Sequence, residues 1–331
     1  MERIKSAVFL VGDSTLDNIY WLGADAKKDC IQGQLTEQLG SDFEVINESY
    51  DGFTTENVLN GGKVGAVLPS PRDYLIKRFG KSKTFSTRPI GNLKTKIGPN
   101  CLPNFFQTHY VVISVGGNDF RVLLSQPWKL LAEIPDVQKR YLRIVDHVQK
   151  LGRNIKPIFM FQYRTDACSR PYFICTILGA LGYIAATINT LAIGALFYSA
   201  YRLTRNRVSA TVGIAKIFIA ALFLYLSHRR LSIRVTKEIF MGKRAGLAVF
   251  GAMLERLYPP MIKKAIEDGI PILDLPNLFN PLDPELFICE IEPSKKGGAL
   301  IATRLAEIVK AYDWAAQETK DRFKDWRVEA L

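Results

Sequence analysis

The apolar run Val8-Phe9-Leu10-Val11 gives way at Gly12 to the polar turn Asp13-Ser14-Thr15. A β-rich run that breaks on a glycine into a small polar turn is how an α/β sheet presents a nucleophile at the carboxyl edge of a strand, which makes Ser14 the candidate nucleophile. Asp and Ser ahead of a helix also act as turn formers and N-caps, so the tripeptide by itself leaves both readings open. Two further blocks carry residue types suited to the same chemistry. Gly52, in Tyr50-Asp51-Gly52-Phe53-Thr54-Thr55, either makes a turn or lets a backbone N–H approach a ligand closely. Asn118, in Gly116-Gly117-Asn118-Asp119, either turns the chain or supplies an amide donor of the kind that stabilises a developing oxyanion.

These blocks need a sheet to position them, and the rest of the chain has the pattern of one. The run from Val8 that breaks at Gly12 is the first strand, residues 30–39 form a short helix that ends near Gly40, and residues 43–47 a second strand. Residues 110–115 are β-branched and apolar and run directly into the Asn118 block. A helix over 136–151, with Leu142, Val145 and Val148 on one side, precedes a fourth strand at 155–161. After an interruption, residues 245–268 are helical with a break at Pro259-Pro260, residues 270–275 make a fifth strand, and residues 299–312 form another helix. The tail, 313–331, places Ala316, Phe323 and Trp326 on one helical face. Alternation of strand and helix predicts a three-layer α/β/α, doubly wound and mostly parallel five-stranded sheet.

Composition bounds the function classes. With 331 residues, 48% of them hydrophobic, the chain buries a sizeable core and is not of disordered type. The net charge of +12 favours an anionic partner, and nucleic acid and an acidic membrane surface satisfy it equally. No nucleic-acid motif accompanies that charge. Cys30, Cys101, Cys168, Cys175 and Cys289 are odd in number and lack a CxxC pair, so neither a disulfide framework nor a metal site is indicated, and no cofactor is implied. The amino terminus leads straight into the first strand with too short an apolar run for a signal peptide.

The interruption has its own character. Residues 171–201 hold no charge, longer than the ~20 apolar residues that a membrane helix needs. A second apolar segment, 208–227, carries only Lys216, and a re-entrant or interfacial helix competes with a full span there. Together they predict a transmembrane hairpin. Its flanks carry more Lys and Arg than the loop around Arg202, Arg205 and Arg207, which puts the sheet on the cytosolic side of the membrane. The stretch 74–118 has no acidic residue and seven basic ones, Lys77, Arg78, Lys81, Lys83, Arg88, Lys94 and Lys96, giving either a solvated loop or a face towards anionic lipid.

In order and context the blocks resemble the SGNH, or GDSL-type, hydrolases. Gly12-Asp13-Ser14 is similar to that family's nucleophile block, Gly52 to its glycine block, Gly116-Gly117-Asn118-Asp119 to its Gly-x-Asn-Asp block, and Glu292-Pro293-Ser294-Lys295-Lys296-Gly297-Gly298 to the neighbourhood of its last block. The resemblance spans about residues 5–165 and 245–312 and leaves out the apolar insertion. It implies a flavodoxin-like sheet with Ser14, Gly52 and Asn118 converging at one edge, the serine attacking an ester carbonyl while its own N–H, the glycine N–H and the asparagine amide hold the oxyanion. The last block departs from the family: where a histidine base and an aspartate three residues earlier are usual, this chain has Glu292 and Cys289.

None of the three histidines replaces that base. His109 lies seven residues before Gly116, so at ~3.3 Å per residue it belongs about 20 Å away at the opposite edge of the sheet. His147 sits within a helix and His228 ends the second apolar segment. Either Glu292 is the base, since burial raises a carboxylate from its ordinary ~4.3 towards neutrality, or the domain binds an acylated ligand or partner without turnover. The expectation is therefore a hydrolase domain over 1–170 and 231–331, split by a membrane hairpin at 171–230, acting on acyl esters, and of these most economically on lipids.

Overall fold

The structure is a computed structural model, and it describes residues 6–22, 27–61, 108–123, 130–152, 154–163, 173–205, 239–240, 245–288 and 292–312. The second apolar segment with His228, the tail, and the basic stretch as far as residue 107 lie outside the described residues. The chain divides into two compact units, one made of Met1–Tyr172 with Arg256–Leu331 and the other of Phe173–Glu255.

The first unit is built on a five-stranded parallel sheet: β1 (Ser6–Gly12), β2 (Phe43–Asn47), β3 (His109–Ser114), β4 (Ile155–Met160) and β5 (Ile272–Leu273), in the order β2-β1-β3-β4-β5. Side chains alternate across each strand, so each sheet face takes its own set. Val8 and Leu10, level with Val45 and Val112, join Ile158, Met160 and Leu273 on one face. There they meet Ile31, Leu35 and Leu39 of α1 (Ile31–Leu39) and Ile301, Leu305 and Ile308 of α2 (Lys295–Ala311). The opposite face is aromatic. Tyr141, on the helix Leu130–Gln149, stands edge-on to Phe159 at 5.8 Å and donates its hydroxyl to the Ile113 carbonyl at 3.1 Å. Tyr258 stacks on Phe161 at 3.9 Å. Helices cover both faces, as parallel sheets require.

In the order 2-1-3-4-5 the winding reverses between β1 and β3, and ligands of open α/β sheets lie in the crevice outside the strand ends at such a reversal. Ser14 follows β1 and Asn118 follows β3. At this point the two strands approach too closely for a side chain. A Cβ on Gly12 would lie 1.8 Å from the Ser114 carbonyl oxygen, and the Asp13 N–H donates to that oxygen at 3.2 Å.

The sheet agrees with the sequence reading in number and direction of strands, while several boundaries move. The expected fifth strand, 270–275, shrinks to Ile272–Leu273, because Asp274 caps the short helix Leu275–Leu278 by accepting from the Asn277 N–H. The last helix starts at Lys295 rather than 299: Ser294 caps it, and Gly297, which reads as a helix breaker, lies where a Cβ would meet the Leu286 oxygen at 2.2 Å.

The second unit contains one long helix, Phe173–Arg205, and most of Ala245–Leu257. Ala186 and Asn189 are buried, whereas Tyr183, Ile184, Ile188, Leu191, Ile193 and Tyr198 are exposed. Among the described residues no helix is long and apolar enough to cross a membrane, so the transmembrane hairpin expected at 171–230 is corrected. Its first arm is the helix Phe173–Arg205, which buries Ala186 and Asn189, and its second arm is outside the described residues.

Because any side chain at position 12 must displace backbone, Gly12→Ala is expected to cost at least the ~1–3 kcal/mol of an overpacked core site. Urea unfolding monitored by circular dichroism reads this directly, and an unchanged midpoint would show that β1 and β3 are not in this contact.

Candidate active site

The turn that carries Ser14 is closed by its neighbour. Asp13 Oδ1 accepts from the Thr15 N–H at 3.1 Å, and the Leu16 and Asp17 N–H groups return to the Asp13 carbonyl, each at 3.0 Å. Such an Asx turn fixes the backbone on both sides of Ser14. Ser14 itself is 6% exposed.

A residue that the sequence did not single out supports the turn from below. Gln162 lies just past β4, so its side chain arises at the same carboxyl edge. Its Oε1 accepts from Thr15 Oγ1 at 2.8 Å, and its Nε2 faces both Asp13 carboxylate oxygens at 3.3 Å and donates to Ser114 Oγ at 3.1 Å. The Gln162 N–H is fixed in turn by the Tyr258 hydroxyl at 2.6 Å. One amide thereby joins the ends of β1, β3 and β4. A polar residue directly after an apolar strand was the available signal.

Gly52 follows β2. The Phe53 N–H donates to the Tyr50 carbonyl at 3.1 Å, which places Gly52 at the third position of a four-residue turn with φ +90°, a conformation that favours glycine. This turn is fastened on two sides. The Asp51 N–H donates to Asp17 Oδ2 at 3.1 Å, and Asn118 Nδ2 donates to the Phe53 carbonyl at 3.1 Å. The segments of Ser14, Gly52 and Asn118 are thus joined by direct hydrogen bonds. An amide nitrogen has two hydrogens, so the bond to Phe53 leaves Asn118 with one more to donate.

Glu292 arrives from the other end of the chain. It pairs with Ile288 in a two-stranded antiparallel ribbon, Phe287–Ile288 with Glu292–Pro293, and is completely buried. Asn18 ties this ribbon to the Ser14 region, with Nδ2 donating to the Pro293 carbonyl at 3.2 Å and Oδ1 accepting from the Ile31 N–H at 3.0 Å. Tyr163 lies within electrostatic reach of both Glu292 and Asp13. Burial raises its pKa well above the usual tyrosine value, the charges of Glu292 and Asp13 raise it further, and its ring stacks on Phe279 at 4.7 Å. His109 sits at the first residue of β3, stacked on Phe9 at 6.0 Å, at the edge opposite Ser14, and His147 is within Leu130–Gln149.

The electrostatics are set by burial. Asp13 is pushed up to about 7, chiefly by desolvation, with the Thr15 and Gln162 hydrogen bonds lowering it and the charge of Asp119 raising it. Asp119 is raised by burial against the lowering effect of Thr55 and Arg140. Among the described residues no group of His, Cys, Asp and Glu is placed to hold a metal ion.

No family model matches the sequence, and no curated protein matches it. Among solved structures the chain is similar to the aryl esterase of M. smegmatis. For the inhibitor-bound form the identity is 15%, with 92% of this chain and 99% of that chain covered and a TM-score of 0.46. For the native form the identity is 15%, the coverage 92% and 99%, and the TM-score 0.44. A likeness of this size carries no argument about the reaction, which must come from the chain's own residues.

The Asp13 shift has a measurable sign. Folding raises its pKa from 3.8 to about 7, so the folded state binds this proton more tightly than the unfolded chain does. That stabilisation is fully present below pH ~4 and is lost as the pH rises through about 7, a change on the order of 4 kcal/mol. Asp13→Asn is expected to flatten the fall in unfolding free energy between those pH values. Equal pH slopes for the two proteins, measured from urea midpoints, would show that Asp13 ionises normally.

Proposed function

We propose that this chain is an SGNH-type serine hydrolase of carboxylic esters. The observation that carries the reading is the junction at the reversal of the sheet: Ser14 on a turn closed by Asp13, with the Gly52 turn hydrogen-bonded to Asn118 beside it. Ser14 Oγ attacks the ester carbonyl carbon and gives its proton to Glu292. The oxyanion is held by the Ser14 and Gly52 N–H groups and by the Asn118 amide. As the tetrahedral intermediate collapses, the carbon–oxygen bond to the alcohol breaks, the alcohol takes the proton, and an acyl-Ser14 ester remains. Water, deprotonated by the same carboxylate, releases the acid and restores Ser14.

The substrate and location are part of the proposal. The net charge of +12 and the exposed Tyr183, Ile184, Ile188 and Leu191 support a place at an anionic membrane surface, which makes an ester-containing lipid the most economical substrate. A second reading, a non-catalytic module that binds an acylated ligand, is favoured by one observation: the last block offers a carboxylate where related blocks have histidine.

The deciding experiment compares wild type, Ser14→Ala and Glu292→Gln on p-nitrophenyl acetate and a panel of lysophospholipids. Ser14→Ala is expected to abolish turnover, and Glu292→Gln to lower it by ~10²-fold or more, the usual loss when a general base is removed. Retained activity in Glu292→Gln alone would assign the base elsewhere, and an inactive wild type would leave the binding module as the better reading.

The membrane part has a separate measurement. The full chain should sediment with vesicles rich in anionic phospholipid and much less with phosphatidylcholine alone, a difference that salt weakens. Equal recovery with both lipids would remove the electrostatic part of the reading.

A further inference from the structure

The Asn118 block contains an acid that the ester chemistry does not use. Asp119 is 4% exposed on its side chain, and both of its oxygens are engaged by one residue of a different segment. The Thr55 N–H donates to Oδ2 at 2.8 Å, and Thr55 Oγ1 donates to Oδ1 at 2.6 Å. Arg140, on the helix Leu130–Gln149, closes the triangle, with Nε donating to Thr55 Oγ1 at 2.8 Å and Nη2 to Asp119 Oδ1 at 3.2 Å.

The placement of the two segments gives this triangle its meaning. Thr55 is three residues after Gly52, and Asp119 directly follows Asn118. The clamp therefore links the two segments that carry the two distant oxyanion donors, in addition to the direct Asn118–Phe53 bond. The helix Thr55–Asn60 already has its own cap, since Thr54 and Asn57 form a reciprocal capping box, so the Asp119 carboxylate does more than end that helix. A buried ion pair is a weak source of stability, because desolvation offsets its attraction, whereas a fork of fixed donors restricts geometry strongly.

We propose that Arg140, acting through Thr55 and Asp119, is a positioning residue that holds Gly52 and Asn118 in the register needed to receive one oxyanion. The inference rests on the reading of Ser14 as nucleophile. Donors to a developing oxyanion act mainly in the transition state, so their displacement lowers kcat and leaves ground-state binding nearly alone. A misplacement of ~1 Å is enough to cost as much as ~10²-fold.

The test uses the full chain and p-nitrophenyl acetate. Arg140→Met, which keeps the length of the stem, and Thr55→Val, which removes Oγ1 but retains the N–H, are expected to lower kcat by ~10-fold or more with KM within about twofold. Thr55→Ser restores the hydroxyl and is expected to rescue most of the loss. Hydrogen exchange followed by mass spectrometry supplies a readout that does not require turnover: residues 50–61 and 116–123 should exchange faster together in Arg140→Met, with β1 and β4 unchanged. A general rise in exchange, a parallel rise in KM, or no change in either measurement overturns the clamp. An inactive wild type whose two segments still loosen together in Arg140→Met sinks the esterase reading but not the coupling. An active wild type with an unaffected Arg140→Met does the reverse.

Discussion

The site depends on a carboxyl group that water does not reach. Asp13 is 2% exposed, and the turn bearing Ser14 exists because that carboxyl accepts from the Thr15 N–H while Gln162 approaches it from beneath. Burial of an acid is costly, and the rise of its pKa to about 7 is the sign of that cost. Nothing of the kind is needed for a sheet to fold, since a turn with a solvated Asp or Ser would join β1 to the next element as well. Geometry is what the buried arrangement provides. The carboxyl, the amide of Gln162 and the hydroxyls of Thr15 and Ser114 each have few alternatives, so the backbone around Ser14 is held from three strands at once.

The same economy recurs around it. Asp51 and Asp274 are buried too, and so are Asp119 and Glu292, which with Asp13 make three acids held by separate devices in a chain whose overall charge is strongly positive. Each is fastened differently: Asp13 by a local turn, Asp119 by Thr55 and Arg140, and Glu292 on a short ribbon that Asn18 ties to the Ser14 region. Acids in such a setting influence one another through low-dielectric surroundings, which is why the charges of both Asp13 and Glu292 raise Tyr163.

Much of the scaffold was legible in the residues because parallel strands buried on both faces read as continuous apolar runs. Strand β2 was recovered residue for residue, β3 was displaced by one residue at both ends, and β4 was overextended by one. The short β5 was overextended because Asp274 reads as part of a strand end, whereas its side chain starts a helix. The start of the last helix was missed because two glycines suggest a break. In space they permit a close approach, Gly297 to the Leu286 carbonyl and Gly298 to Ile31, Asn18 and Gln34. The uncharged run at 171–201 was read as the first arm of a membrane hairpin from its length and lack of charge, and most of it is taken up by the helix Phe173–Arg205. At the site, residue types and order pointed to Ser14, Gly52, Asn118 and Glu292. Gln162 offered only its polar type after an apolar strand, and Thr55 and Arg140 offered nothing, because a supporting hydrogen bond leaves no spacing pattern when its partners are 85 or 149 positions apart.

The break in the first unit between Tyr172 and Arg256 has a consequence for how the molecule is made. Lengthening a connection is thermodynamically mild, about 0.6 kcal/mol for each doubling, so the native state tolerates a whole compact unit between β4 and β5. Time is another matter. During synthesis β1 to β4 leave the ribosome early, but the edge strand, the ribbon bearing Glu292 and the helix that covers one sheet face emerge only after the intervening unit. Until then the face formed by Val8, Leu10, Val112 and Ile158 lacks its cover from Ile301, Leu305 and Ile308. The nascent chain therefore carries an incompletely covered apolar surface for the whole interval, the condition under which partly folded chains associate.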